Sequence, residues 1–266
     1  LSEGFMKYQN LKAKAVKVRD VTPQQTIKMW NLFRLYYDDV NLEMFLNDLS
    51  LKTHVIILTR QDEIMGFSTV QLYDSVVDGK TVRVIYSGDT IKSREVWGEK
   101  NLNKAFANLL AKDYLLNFGK EYYWFLISKG YKTYLLLTNN FPNSWPRYDR
   151  QFEGFQKNLI DHLAMQKFGD SYCPQKNLLV FNEPKGRLKE DAVPLTASDL
   201  KSEHIRYFLD RNPAFLQGQE LCCLARIDMD LWKFAAKKFL LPKTKKQKIQ
   251  PQTMDPRGSS TVEAHS

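Results

Sequence analysis

From residue 22 onward, apolar positions recur in blocks whose spacing changes from helical to extended and back. Thr22-Pro23-Gln24-Gln25 opens the first block. The threonine hydroxyl suits an N-cap, proline suits the first helical position, and Gln25 completes a capping box. Ile27, Trp30, Leu32, Phe33, Tyr36 and Tyr37 follow near a 3.6-residue period, and Leu42, Phe45, Leu46 and Leu49 predict a second, shorter helix. Residues 54–59 (HVIILT) and 64–73 (IMGFSTVQLY) flank the polar Gln61-Asp62-Glu63 and predict a hairpin. Asp78-Gly79 is a tight-turn signal that leads to a third strand over residues 81–87. Upstream, Lys12, Lys14, Lys17 and Arg19 alternate with Leu11, Ala13, Val16 and Val18, as on an edge strand.

Residues 82–110 begin as an apolar strand, cross a polar turn and become a helix through Phe106, Leu109 and Leu110. The apolar stretch at 121–128 (EYYWFLIS) suits either state, and its place after a helix favours a further helix, stopped by Lys129-Gly130. Residues 131–138 (YKTYLLLT) predict a buried strand ending in Asn139-Asn140. A loop with two prolines at 141–148, a helix over 151–168 and a strand at 177–181 come next. Beyond a polar connection at 182–194, the cap Thr196-Ala197-Ser198-Asp199 predicts a helix to Asp210, then a strand at 220–227 and a short helix at 230–240. The expected fold class is α+β, a mixed central sheet flanked by helices, with an inserted helix before the last strand.

At 266 residues the chain is long enough for one large core. The expected organisation is an N-terminal segment (1–20), one domain (21–240) carrying an insertion at 182–218, and a Lys-, Gln- and Pro-rich tail (241–266) expected to be disordered. Cys173, Cys222 and Cys223 do not form a disulfide framework, and the four histidines lack ligand spacing, so no metal is expected. On a strand, the adjacent Cys222 and Cys223 would point to opposite faces and read as core. No window is apolar enough for a membrane span, no charged-then-apolar leader is seen, and the expected compartment is the cytoplasm. The net charge of +9 suits an anionic partner, although Lys237, Lys238, Lys243, Lys245, Lys246 and Lys248 concentrate part of it near the C-terminus. No specific nucleic-acid motif is present.

The helix entry Lys100-Asn101-Leu102-Asn103-Lys104 carries the chemistry of greatest interest. Free N–H groups of a first helical turn and the positive end of the dipole favour an anion, and lysines there oppose the dipole unless an anion is present.

The order of elements, with Gly66 on the second hairpin strand and this strand–turn–helix, resembles the GCN5-related N-acetyltransferase (GNAT) superfamily over roughly residues 24–227. The family motif Arg/Gln-x-x-Gly-x-Gly/Ala falls on Gly98-Glu99-Lys100-Asn101-Leu102-Asn103, with Asn101 and Asn103 where glycines are expected. Asparagine tolerates a left-handed backbone better than other non-glycine residues.

The resemblance implies that two strands splay to admit the arm of an acyl carrier, here residues 82–89 and 131–140. It further implies an acetyl-CoA or longer acyl-CoA co-substrate, with an acidic acyl carrier protein as the alternative. A small-molecule primary amine would attack the thioester directly. On this reading Ser87, Lys100, Asn101, Leu102, Asn103, Lys104, Asn139 and Asn140 hold the carrier. Asp89 or Glu95 acts as base, and Tyr148, with Tyr172 next in line, as acid. Each of these also has a plain structural reading in turns, caps or packing. Two rival functions remain: a non-catalytic binding or regulatory module of the same fold, and a nucleic-acid binder suggested by charge alone.

Overall fold

The computed structural model describes residues 10–38, 40–181, 187–188 and 195–240. Residues 1–9, most of the connection at 182–194 and the tail at 241–266 lie outside them, and with these the expectation of a disordered tail.

In chain order the strands are β1 (Leu11–Lys17), β2 (Tyr37–Asp38), β3 (His54–Arg60), β4 (Glu63–Val77), β5 (Lys80–Lys92), β6 (Glu121–Ser128), β7 (Ser144–Trp145), β8 (Tyr172–Cys173), β9 (Leu178–Leu179), β10 (Arg187–Leu188) and β11 (Glu220–Ile227). The α-helices are α1 (Pro23–Phe33), α2 (Leu42–Ser50), α3 (Asn101–Leu116), α4 (Tyr131–Asn140), α5 (Phe155–Phe168), α6 (Glu203–Arg211) and α7 (Met229–Leu240). The main sheet runs β1-β3-β4-β5-β6-β11-β9-β8, with β7 paired to β11; β2 and β10 form a separate two-stranded ladder. Among the described ladders only β5–β6 is parallel. A parallel pair requires a crossover, and α3 supplies it.

The local signals explain most of these elements. Thr22 Oγ1 accepts from the Gln25 amide at 3.2 Å, Gln25 Oε1 accepts from the Thr22 amide at 3.0 Å, and Pro23 takes the first helical position. Asn41 caps α2 by accepting from the Met44 amide at 2.8 Å. Asp78 (φ 50°) and Gly79 (φ 75°) turn β4 into β5, and Gln61 (φ 46°) and Asp62 (φ 69°) turn β3 into β4. Both turns place two consecutive residues at positive φ, matching the twist of the strands they join.

Two expectations exchange places. Residues 121–128 form strand β6, not a helix, and residues 131–140 form helix α4, not a strand. β6 is buried on both faces, so it shows no polar alternation, as befits a central strand in a parallel pair. In the second segment Tyr131, Tyr134, Leu137 and Thr138 are the buried positions, a helical spacing. Two smaller corrections follow. The strand expected at 177–181 contracts to β9, and Ser202, not Thr196, caps the helix that ends at Arg211.

One face of the sheet packs on α3, α4, α6 and α7 through Leu102, Leu110, Tyr134, Leu137, Phe208 and Leu231. The opposite face packs on α5 through Leu159, Ile160 and Leu163, and on α1 and α2 through Met29, Phe33 and Phe45. Along β11, Cys223 faces the first layer and Cys222 the second, both buried. Burial pushes the Cys223 thiol up to about 12 and the Cys222 thiol well above its usual range, so both behave as core residues.

The end of the β5–β6 pair nearest Val82 and Glu121 is pinned by charge. Arg83 forks onto Asp113 of α3, with Nε to Oδ2 and Nη2 to Oδ1 both at 2.9 Å, while the Tyr122 hydroxyl donates to Asp113 Oδ2 at 2.7 Å. Arg83 Nη1 also reaches Asp74 at 3.1 Å, and Lys120 closes on the other oxygen of Asp74 at 2.7 Å. Nearer the other end, β4 approaches β5 so closely that a Cβ on Gly66 would fall 2.7 Å from the Ile91 carbonyl oxygen. Gly66→Ala is therefore expected to cost about 1–3 kcal/mol by forcing the two backbones apart. A urea titration checks this, and an unchanged midpoint would count against it.

Candidate functional site: a cleft through the sheet

β5 and β6 pair in parallel only from Val82↔Glu121 to Ser87↔Leu126. Beyond that point β5 continues against β4 alone, as far as Lys92, and β6 turns into α4. The strands part, and a cleft of about 1560 Å³ opens at the split. Its lining includes Ser87, Gly88 and Asp89 from β5, and Leu126, Ile127, Lys129 and Gly130 at the end of β6 and the start of α4. It also reaches both faces of the sheet. Leu102, Asn103, Phe106 and Trp232 belong to the α3 and α7 layer, whereas Phe33, Tyr86, Lys167 and Phe168 belong to the opposite one. The split is thus a passage from one layer to the other.

At the first mouth, Lys100, Leu102, Asn103 and Lys104 all line the cleft. The amides of Leu102 and Asn103 donate to no acceptor among the described residues, and no side chain caps the helix from Lys100. Asn101 behaves differently. Its amide donates to Glu99 Oε2, and its side-chain Nδ2 donates to the Leu11 carbonyl at 3.1 Å, which ties the helix start to β1. Glu99 is buried, and Lys92 sits 3.1 Å from its other oxygen. The helix entrance therefore carries one anion of its own and keeps two free amides beside the Lys100 and Lys104 side chains. Neither Asn101 nor Asn103 adopts a left-handed backbone; Gly98, at φ 88°, takes that role.

The split itself is polar. Trp124 Nε1 donates to Ser87 Oγ at 2.9 Å, so the hydroxyl is oriented by the cleft floor. Gly88 is bare of necessity, because a Cβ there would lie 2.4 Å from Thr69 Oγ1 and 2.9 Å from Lys52 Cε.

On the far side Asp89 meets a compact set of charges. Burial raises its carboxyl pKa and Asp48 adds to that, against the pull of Lys129 and Lys52. Lys129 stands 3.4 Å from Glu220 and 4.6 Å above the Tyr37 ring. Although burial disfavours its charge, Glu220, Tyr37 and Asp89 together hold it protonated. Lys52, itself buried, pairs with Asp48. Tyr86 lies between two ammonium groups, Lys167 at 4.3 Å and Lys52 at 5.4 Å from its ring centroid. A carboxylate whose affinity for a proton is raised by burial, beside fixed cations in a cleft, is the kind of group that accepts a proton from a bound nucleophile.

The remaining site expectations are placed elsewhere. Glu95 lies outside the cleft lining, its side chain 65% exposed and paired with Arg60 at 3.1 Å. Tyr148 is 46% exposed, sits in a loop against His204 at 4.8 Å, and does not line the cleft. Tyr172 donates to Asp161 at 2.7 Å in the α5 layer and does not line it either. Asn139 and Asn140 end a helix, not a strand. Asn140 Oδ1 and the Asn139 carbonyl both accept from Lys238 of α7, and only Asn140 reaches the cleft. The residues that sequence reading missed are Lys129, Lys167 and Glu220, while Tyr36 and Tyr37, an aromatic run that reads as core or pocket lining, line the cleft. Among the described residues no group of His, Cys, Asp or Glu is placed to hold a metal, and no helix is long and apolar enough to cross a membrane.

No protein-family model and no curated protein sequence matches the chain. Solved structures do align with it. A conserved protein of unknown function from Enterococcus faecalis V583 aligns at 13% identity and TM-score 0.39, over 48% of this chain and 31% of that one. The GNAT family N-acetyltransferase YhbS from Escherichia coli, solved with CoA, aligns at 15% identity and TM-score 0.33, over 45% of this chain and 64% of that one. The aminoglycoside acetyltransferase meta-AAC0020 from an uncultured soil metagenomic sample, solved with sisomicin, aligns at 15% identity and TM-score 0.35, over 55% and 94%. In the first two cases the match spans less than two thirds of the other chain.

Proposed function

We propose that this chain is a divergent GNAT-type N-acyltransferase, taking an acyl thioester donor at the α3 mouth and a primary amine from the opposite face. The observation that carries this reading is the passage at the Ser87/Leu126 split. It joins a helix entrance with two unpartnered amides to a cluster of ionisable side chains through a gap in one sheet. Held at the gap, donor carbonyl and amine nitrogen meet in an orientation that removes most of the entropic cost of encounter.

In this mechanism the Leu102 and Asn103 amides, with the Lys100 and Lys104 ammonium groups, bind the phosphates of the donor. Backbone groups of β5 beyond Ser87, released from pairing with β6, bond its amide arm. The amine nitrogen forms a bond to the thioester carbonyl carbon, and the carbon–sulfur bond breaks. Asp89 takes the proton from the amine, directly or through a water. The departing thiolate leaves with the donor and takes up a proton from solvent or from Tyr36, a phenol in the lining at this side. Coenzyme A as donor, with a phosphopantetheine-bearing carrier protein as the alternative, accounts for the cationic mouth.

Calorimetric titration with CoA and acetyl-CoA tests the donor site. Lys100→Ala together with Lys104→Ala is expected to weaken binding roughly tenfold at low salt, and less at high salt, where exposed charges are screened. Native protein that binds neither ligand would overturn the donor assignment. The Glu99 carboxylate at the helix entrance favours one alternative, a module that keeps the cleft without turnover. Mass spectrometry of an amine mixture incubated with acetyl-CoA separates the two.

A further inference from the structure

We infer that the acceptor amine carries an anionic group, a carboxylate or a phosphate, and that Lys167 binds it. The inference rests on the acyl-transfer reading and names the substrate class for it.

Among the described residues, three acids, Asp48, Asp89 and Glu220, and three lysines, Lys52, Lys129 and Lys167, stand around Tyr37 and Tyr86. Two pairs are closed within the protein, Lys52 with Asp48 and Lys129 with Glu220 at 3.4 Å. Of these six, Asp89 and Lys167 are in no close ion pair, although Lys129 also acts on Asp89 from further away. Asp89 makes no ion pair or hydrogen bond through its carboxylate among the described residues, and Lys167 makes no ion pair among them. Both line the cleft.

Lys167 is nevertheless built in. It projects from α5, half-buried, packs over the Tyr86 ring at 4.3 Å and donates to Gln71 Oε1 at 2.7 Å. A neutral amide oxygen accepts from one of its three N–H groups, so two donors and the positive charge remain for a ligand. Burial and the neighbouring Lys52 lower its pKa to about 8, which is the cost that an anion would relieve. A free amine with no second charge satisfies Asp89 alone and leaves Lys167 as it was. A molecule with an amine at one end and an anion at the other satisfies both. The aromatic lining at this side, Phe33, Tyr37, Phe45 and Phe168, suits an apolar body between the two charges.

The test compares ω-amino acids of two to six carbons with their carboxamides, and O-phosphoethanolamine with ethanolamine, using acetyl-CoA as donor and released thiol as readout. The carboxamide pairs keep length and hydrogen bonding while removing the charge. The expected result is roughly tenfold higher kcat/KM for the anionic member of at least one pair, carried by KM. The chain length at which this occurs measures the spacing of the two charges. Lys167→Met should collapse the preference, and Lys167→Arg should retain it. The preference should also fade as pH rises past about 8, since Lys52, Asp48, Tyr86 and Gln71 are the charged and polar groups that face the ammonium. Equal or better turnover of every neutral member, or a preference indifferent to Lys167→Met, overturns the inference and leaves acyl transfer standing. Saturation-transfer NMR with the same probes keeps the two readings separable. Binding of the anionic probes to native protein but not to Lys167→Met, without thiol release, upholds the anion site and sinks the acyl-transfer reading instead.

Discussion

Asp89→Asn is expected to lower kcat/KM for N-acylation by about 10²–10⁴-fold, the usual contribution of a positioned base. The fold should survive, because the Asp89 carboxylate anchors no hydrogen bond among the described residues. Stability should even rise slightly at neutral pH. The sign follows from linkage. Burial lifts the Asp89 pKa above its unfolded value, so in the window between the two values the native state holds a proton that the unfolded state has lost. Stability therefore falls as pH rises through that window, and an asparagine removes the penalty. The native pH profile of kcat/KM should show an acid limb displaced upward from the ordinary carboxylate range, absent from any residual activity of the variant. Loss of activity together with loss of stability would mean that Asp89 is structural.

The second large effect concerns Asp113. Asp113→Ala removes the bidentate partner of a half-buried arginine, leaving it only Asp74, and strands the Tyr122 hydroxyl; it is expected to cost about 3 kcal/mol. The pH dependence runs opposite to that of Asp89. Burial works against ionisation of Asp113, but the hydrogen bonds from Arg83 and Tyr122 overcome it and hold the carboxyl below its usual range. Its contribution is complete above the unfolded pKa and is lost as pH falls through the depressed folded value. Chemical denaturation at pH 7 and acid titration monitored by circular dichroism check both statements. The variant should unfold at lower denaturant, and its stability should depend less on pH below the ordinary carboxylate range. Asp113→Asn, which keeps the shape and one acceptor, should recover part of the loss. A loss below about 1 kcal/mol would place the pinning elsewhere.

The two residues also show what could be read from sequence alone. The hairpins, the Thr22 capping box and the strand–turn–helix of residues 82–110 are local devices, written in adjacent residues, and each forms where its signals stand. Asp89, Ser87 and the lysines of the helix entrance were accessible for the same reason, since they lie within one such device. The exchange between residues 121–128 and 131–140 marks the limit. A strand buried on both faces loses the alternation that identifies strands, and a helix ending in two asparagines resembles a strand running into a turn. The phenyl and indole richness of Tyr122-Tyr123-Trp124-Phe125 was the signal for a strand. Lys129, Glu220 and Lys167 come from three separate segments and meet only through the sheet order, so no spacing announces them. Glu220, a carboxylate opening a strand that is otherwise apolar over Leu221-Cys222-Cys223-Leu224, is the one that could have been suspected.

The pairing of β5 with β6 is locked by Arg83, Asp113 and Tyr122 at one extremity and abandoned after Ser87 at the other. Such a pair behaves mechanically as a cantilever. Displacement of one strand relative to the other is suppressed at the clamped root and grows towards the split, where each strand is held only by its outer neighbour and Gly88-Asp89 and Lys129-Gly130 line the cleft. Amide hydrogens should record this as a gradient, with protection highest near Val84 and Tyr123 and lowest beyond Ser87 and Ile127. The width of the gap is then set from its far end. A substitution at Asp113, far along the strands from any reacting atom, would loosen the root and let the tips wander, lowering turnover without touching a group that meets the substrate.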